Sequence, residues 1–169
     1  YMDWLKSIPL RPDTKVPSGV DYDMWLGPAP DRPFNTNRFH FTFRWFWDYA
    51  GGLMTDWGVH LLDVVLWGMN ATTPNRIVSS GGNFAYPNSA METPDTQQAI
   101  FEFPDFTMIW EHANGIGLGP YQRSHGIAFI GNNGTLIVDR GGWEVLSEIE
   151  NEQGVKKSKV EPVGRRSAK

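Results

Sequence analysis

The chain has no cysteine, only 4 histidines and no excess of basic residues: 15 Lys and Arg stand against 19 Asp and Glu, for a net charge of -4. Without cysteine there are no disulfides, no thiolate metal sites and no cysteine nucleophile. Neither redox compartment is favoured. The negative balance argues against nucleic acid or an anionic membrane as the main partner. No apolar run approaches the roughly 20 residues that a bilayer-spanning helix needs, and no leader of the secretory type opens the chain. The first residue is Tyr1 rather than Met, which suggests an upstream portion. Three chemical fingerprints are missing as well: the P-loop, the dinucleotide Gly-x-Gly-x-x-Gly and the Gly-x-Ser-x-Gly elbow.

What is present fits one soluble domain. The 169 residues suffice for a core, and 40% are hydrophobic. The aromatic share of 14%, with 8 Trp, is high. Such rings suit sugar faces, but they are more often packing.

Tyr1 to Ile8 reads as a strand fragment. From Pro9 to Asn37 the chain carries Pro9, Pro12, Pro17, Pro28, Pro30 and Pro33, which argue against a continuous helix or central strand. A long irregular run of this kind is usually functional. Within it, Asp21 to Gly27 predicts one short helical turn, stopped by Gly27-Pro28. Phe39, Phe41, Phe43, Trp45 and Trp47 share one parity, which predicts an extended segment. A helix follows from about Leu53 to Trp67, with Leu53, Trp57, Leu61 and Val64 as its core stripe. Strands are expected over 76–86, 96–103, 107–113, 124–130, 135–139 and 143–149, joined by tight turns at Pro104-Asp105 and Asn133-Gly134. The class is therefore α+β, with helix early and an antiparallel meander late. Residues 1–150 are read as the domain and 151–169 as a basic tail, poorly ordered, with Lys156, Lys157, Lys159, Arg165, Arg166 and Lys169.

The chemistry concentrates on the helix. Asp56, His60 and Asp63 are spaced so as to share one stripe. In a helix apolar nearly all round, these groups are expected to be buried and therefore paired or used. His60 can take a proton from a hydroxyl and return it, with a carboxylate one turn away to orient the ring. A packing role for the stripe is equally open, and a metal site built on Asp56, His60 and Asp63 is a further alternative. Arg44 can grip an anion or pair with Asp48. His112 and His125, in or near strands, read as satisfied surface or barrel-edge groups.

The motif Gly51-Gly52-x-x-x-Asp56-x-Gly58-x-His60-x-x-Asp63 resembles the signature helix of the Gfo/Idh/MocA oxidoreductases. Asp21-Tyr22-Asp23-Met24-Trp25-Leu26-Gly27-Pro28-Ala29-Pro30, Asn37-Arg38-Phe39-His40, Arg44-Trp45-Phe46-Trp47-Asp48-Tyr49 and Phe129-Ile130-Gly131-Asn132-Asn133-Gly134-Thr135-Leu136 are similar to a bacterial subgroup of it. The resemblance covers the chain to about residue 145 and only the C-terminal domain. It implies a large, mostly antiparallel sheet with helices on one face and an open face that forms homo-oligomers. The N-terminal Rossmann domain and the Glu-Lys-Pro segment are absent, and so is the final part of the usual domain, which implies a truncated chain. By matching position, His60 is the implied general acid/base, with Asp56 bonding substrate or His60 and Asp63 in support. His40, Arg44, Trp47 and Tyr49 are implied to line the pocket. The substrate is implied to be a sugar or cyclitol, and the cofactor NAD or NADP in the full-length protein, with none expected on this fragment. Transient oxidation with glycoside cleavage, as in some relatives, and a non-catalytic carbohydrate-binding or scaffold module are alternatives. The implied compartment is the bacterial cytoplasm or periplasm, a choice that would rest on upstream sequence.

Overall fold

The computed structural model of the chain describes residues 1, 2 and 5–168. It falls into two compact units, one ending at Gly117 and the other starting at Leu118.

The first unit begins with irregular chain. Met2 makes a single bridge to Asn114, while Leu5 and Ile8 enter the core. Asp3 and Trp4, which belong to the expected opening strand, lie outside the described residues. The proline-rich segment is ordered by side chains. Asn37 donates to the Pro9 carbonyl at 2.7 Å, Asn35 to the Arg11 carbonyl at 3.0 Å, and Arg38 to the Pro33 carbonyl at 2.6 Å. Prolines lack a backbone donor, so buried amides and a guanidinium take up carbonyls that no ladder reaches. Helix α1 (Tyr22–Leu26) is capped by Asp21, whose side chain accepts from the Met24 N–H, and ends at Gly27 with φ 53°. Both ends are as the sequence predicts.

Phe39 to Trp47 is not extended. His40–Trp45 forms a 3-10 helix, entered through His40 at φ 55°. The aromatic parity does not sort inside from outside: Trp45 and Phe46 are buried, whereas Phe41 and Trp47 are more than half exposed. The stretch holds only one β-branched residue, Thr42, so aromatic density alone carried the strand reading. The rings then pack in two clusters. One joins Trp45, Phe46 and Leu53 to Met91, Ala99 and Trp110; the other joins Tyr22, Leu26 and Phe34 to Trp25, Phe39 and Tyr49.

Helix α2 (Gly52–Gly68) has the predicted extent. Gly52 adopts φ 68°, and a Cβ there would lie 2.7 Å from the Thr93 hydroxyl oxygen, so this close approach requires glycine. The burial differs from expectation. Only Gly52, Leu53 and Gly58 are buried, with Gly58 against the Trp110 ring. Val64, expected on the core stripe, is 38% exposed and Trp67 is 84% exposed. Leu53, Trp57 and Leu61 of the expected stripe do meet the core, with Met54 and Leu62 beside them, whereas Val64 and Trp67 further along remain accessible.

Strands β1 (Arg76–Gly82), β2 (Thr96–Glu102) and β3 (Thr107–Ala113) form an antiparallel sheet in that order. One face buries Ala99, Met108, Trp110 and His112, while Val78, Ile100 and Ile109, paired across the three strands, stand exposed on the other.

In the second unit β4 (Ile127–Gly131), β5 (Gly134–Asp139), β6 (Gly142–Ser147) and β9 (Val163–Ser167) form a four-stranded sheet, and β7 (Ile149–Glu152) and β8 (Val155–Ser158) a hairpin. The α+β class and antiparallel pairing are as predicted, with the strands divided over three sheets. Residues 151–168 differ from the expected tail. They contain β8 and β9, with Glu150 opposite Lys157 and Val163 opposite Val145; cross-strand charge pairing and ladder bonds hold them. Lys169 lies outside the described residues. Among the described residues no helix is long and apolar enough to cross a membrane.

Candidate functional site

Asp56, His60 and Asp63 do lie along α2, but the stripe is not buried. His60 and Asp63 are exposed and Asp56 is half-buried, so the desolvation cost that made the spacing notable is largely absent. Arg44, at the end of the 3-10 helix, reaches across to α2 and donates from Nε to Asp56 Oδ1 at 3.1 Å. Its Nη1 donates to the Phe41 carbonyl at 2.9 Å, and its Cζ lies 4.7 and 4.8 Å from the Phe41 and Phe43 ring centres. The planar fork is thus held by one carboxylate, one carbonyl and two rings. Asp48, the alternative partner for Arg44, pairs instead with Arg32.

Among the described residues, His60 and Asp63 make no hydrogen bond or ion pair. Asp56 is engaged by Arg44 rather than by the imidazole, so the expected carboxylate–imidazole contact is not made. His40 is exposed, its ring centre 4.0 Å from that of Phe39. Trp47 is 59% exposed. Tyr49 turns into the second aromatic cluster, its ring 5.0 Å from Trp25. Its buried hydroxyl and that of Tyr22 meet no partner in good hydrogen-bond geometry among the described residues; burial pushes the Tyr49 phenol up, and the nearby Tyr22 hydroxyl adds to the shift. The structure therefore brings Arg44 and Asp56 into contact with His60 one turn beyond, and places His40 and Trp47 at either end of the adjoining segment. It assigns Tyr49 to the core and leaves Asp63 apart.

Two acids escaped sequence reasoning. Glu92 accepts the Trp47 backbone N–H at 2.9 Å and lies 3.5 Å from Arg32. Asp95, 0% exposed, accepts backbone N–H groups from Phe84, Ala85 and Tyr86 at 3.0, 3.2 and 2.8 Å and the Thr96 hydroxyl at 2.8 Å. The Glu92 bond spans 45 positions and the Asp95 bonds to the 84–86 backbone span 11, 10 and 9, so no local pattern announces them. His112, on the edge strand β3, is satisfied but buried rather than at the surface: its Nδ1 accepts from the Trp110 indole at 3.0 Å, and its Nε2 is 3.2 Å from the Pro94 carbonyl. Burial holds its pKa below the ordinary value.

An exposed imidazole beside a fixed carboxylate can exchange a proton with a hydroxyl. No three His, Asp or Glu side chains among the described residues could hold a metal ion, so the metal reading of the stripe finds no support. The described residues also lack the arrangement by which a Rossmann domain holds a dinucleotide. Every named strand pair is antiparallel, so there is no βαβ unit to present a pyrophosphate to a helix start. At α2 the Thr55 hydroxyl already takes the Gly51 N–H at 3.0 Å.

Residues 2–79 match the family model described as the oxidoreductase family, C-terminal alpha/beta domain, of the Gfo/Idh/MocA group. The matched stretch contains α1, the 3-10 helix His40–Trp45 and the whole of α2. No curated protein matches the chain.

Proposed function

We propose that the chain, whose residues 2–79 match the C-terminal alpha/beta domain of the Gfo/Idh/MocA oxidoreductases, is the substrate-binding and oligomerisation domain of an enzyme acting on a sugar or cyclitol hydroxyl. The observation that carries the reading is the match over α2, which presents His60 at the surface beside the Arg44–Asp56 pair. His60 takes the proton from the substrate hydroxyl, or returns it in the reverse direction. Arg44 keeps the Asp56 carboxylate fixed through Oδ1, leaving Oδ2 to accept from a second hydroxyl. His40 and Trp47 bound the sugar, and Asp63 supports the exposed stripe. The family generally uses NAD or NADP in the full-length protein, and no residue of this chain is assigned to it. Val78, Ile100 and Ile109, 53%, 41% and 65% exposed, form the apolar row through which a second copy docks on the open sheet.

His60→Ala in the full-length protein tests the proposal. Turnover is lost while dinucleotide affinity is kept; unchanged turnover removes His60 from the chemistry. Tight NAD binding by the 169-residue chain alone would contradict the division of labour. A second reading, a carbohydrate-binding module without catalysis, is favoured by one observation: His60 has no orienting carboxylate because Arg44 holds Asp56. In that case His60→Ala leaves sugar affinity and turnover unaltered.

A further inference from the structure

We infer that Glu92 is a positioning residue of this site, holding the Trp47 indole as a stacking surface for the sugar ring. The inference rests on the reading of Trp47 as part of a carbohydrate site. Trp47 follows two buried rings, Trp45 at 3% and Phe46 at 4% exposure, yet is itself 59% exposed. The backbone that turns it outward is fixed from a distant loop. Glu92 Oε2 accepts the Trp47 N–H at 2.9 Å, and the Trp45 carbonyl accepts from the N–H groups of Glu92 and Thr93 at 2.9 and 3.2 Å. Arg32 closes the arrangement, bridging Asp48 and Glu92.

The loop that carries Glu92 is itself anchored. Asp95 gathers Phe84, Ala85 and Tyr86, the Asp95 N–H bonds Asn83 Oδ1 at 3.0 Å, and Asn83 Nδ2 bonds the Met91 carbonyl at 3.0 Å. A fully buried carboxylate thus fixes the loop, the loop fixes Glu92, and Glu92 fixes the backbone from which the exposed indole projects. A carboxylate acceptor makes a stronger bond to an N–H than a neutral one. An aromatic surface ordered in advance also binds with less loss of conformational entropy. The flat apolar C–H face of a pyranose or cyclitol suits such a ring, and its hydroxyls would face the polar groups of α2.

The test uses the 169-residue chain with nitrogen-15 in its indoles, Trp47 being assigned by Trp47→Phe. In Glu92→Ala the heteronuclear NOE of the Trp47 indole falls while the other indoles keep theirs. In Glu92→Gln it recovers, because the amide oxygen still accepts the Trp47 N–H. D-glucose and myo-inositol serve as probes. Each shifts the Trp47 resonance in the parent chain, and Glu92→Ala weakens that binding about fivefold, on the scale of one lost aromatic contact. A wild-type NOE in Glu92→Ala overturns the positioning role, and so does failure of Glu92→Gln to restore it. If neither probe moves Trp47 in the parent chain while Glu92→Ala still loosens the indole, positioning stands and the carbohydrate reading of the site falls.

Discussion

Leu53 and Ile137 are each 2% exposed, but they are buried in different ways. Leu53 packs in a cluster that draws Met2, Trp45, Phe46, Met91, Ala99 and Trp110 from five separate parts of the unit ending at Gly117. Ile137 is the one buried apolar side chain among the described residues from Leu118 onward, and no cluster forms around it. That second unit is held by ladders and by charge: Arg165 donates to Asp139 at 2.7 Å, while Arg123 pairs with Glu144 and stands 3.7 Å from Asp139. Leu136, Trp143 and Leu146 remain 37%, 40% and 44% exposed. The candidate site and the family match both lie in the unit with tertiary cores. Positioning side chains for chemistry takes packed neighbours from several directions, which a sheet with a single buried apolar residue does not supply.

The largest expected effect is at Asp95. Replacing it by Ala leaves three backbone donors without their acceptor and costs about 5 kcal/mol, summing the penalty for orphaned buried groups. Urea unfolding followed by fluorescence checks it. Trp143 is the second unit's own tryptophan, so Trp143→Phe separates the two signals. The loss should fall on the first unit alone; an equal loss in the Trp143 signal would mean that the units do not unfold separately. Next come the two buried aliphatics. Leu53→Ala should cost about 4 kcal/mol and Ile137→Ala about 2, the upper and lower parts of the range for buried truncations, because only the former leaves a cavity with walls on all sides. Equal costs would break the contrast.

The difference between the units also governs what could be read in advance. Local signals were sufficient where the structure is local. Asp21 and Gly27 bounded α1, the Gly51-Gly52 pair opened α2, and the alternation over Thr107–Ala113 matched β3. Polar β7 and β8, every residue exposed, looked like a solvated tail because their order comes from pairing rather than burial. The site was legible in residue type but not in environment. Spacing placed Asp56 and His60 on one stripe; it could not say that Arg44 would take the carboxylate or that the stripe would face out. Glu92 and Asp95 act on backbone groups of distant segments, and no spacing rule reaches that far.

Mild acid should separate the units by a smaller margin. Burial keeps the folded His112 below its ordinary value of 6.5, so the unfolded chain takes up the proton first. Its stability contribution is therefore complete above about pH 6.5 and is lost as pH falls through the depressed folded value. His125 moves in the same direction, also by burial, but it is only half-buried. Asp139 is held below the carboxylate range, first by the Arg165 hydrogen bond; its contribution is present above about pH 4 and is lost at lower pH. Between pH 7 and pH 5 the first unit should lose more stability than the second, and His112→Gln should flatten its profile. Equal slopes would show that His125 matters as much as His112.

The smallest expected changes in stability lie at the site. The Arg44–Asp56 pair is about 30% exposed on each side, so Arg44→Ala should cost under about 1 kcal/mol. His60→Ala, at an exposed position with no partner among the described residues, should stay within about 0.5 kcal/mol. Thermal and urea midpoints check both. This near-neutrality sharpens the functional test: a His60→Ala protein that folds like its parent but has lost turnover has lost chemistry. A clear loss of stability in His60→Ala would instead mean that something covers this face of α2, and would move the residue from the surface to an interface.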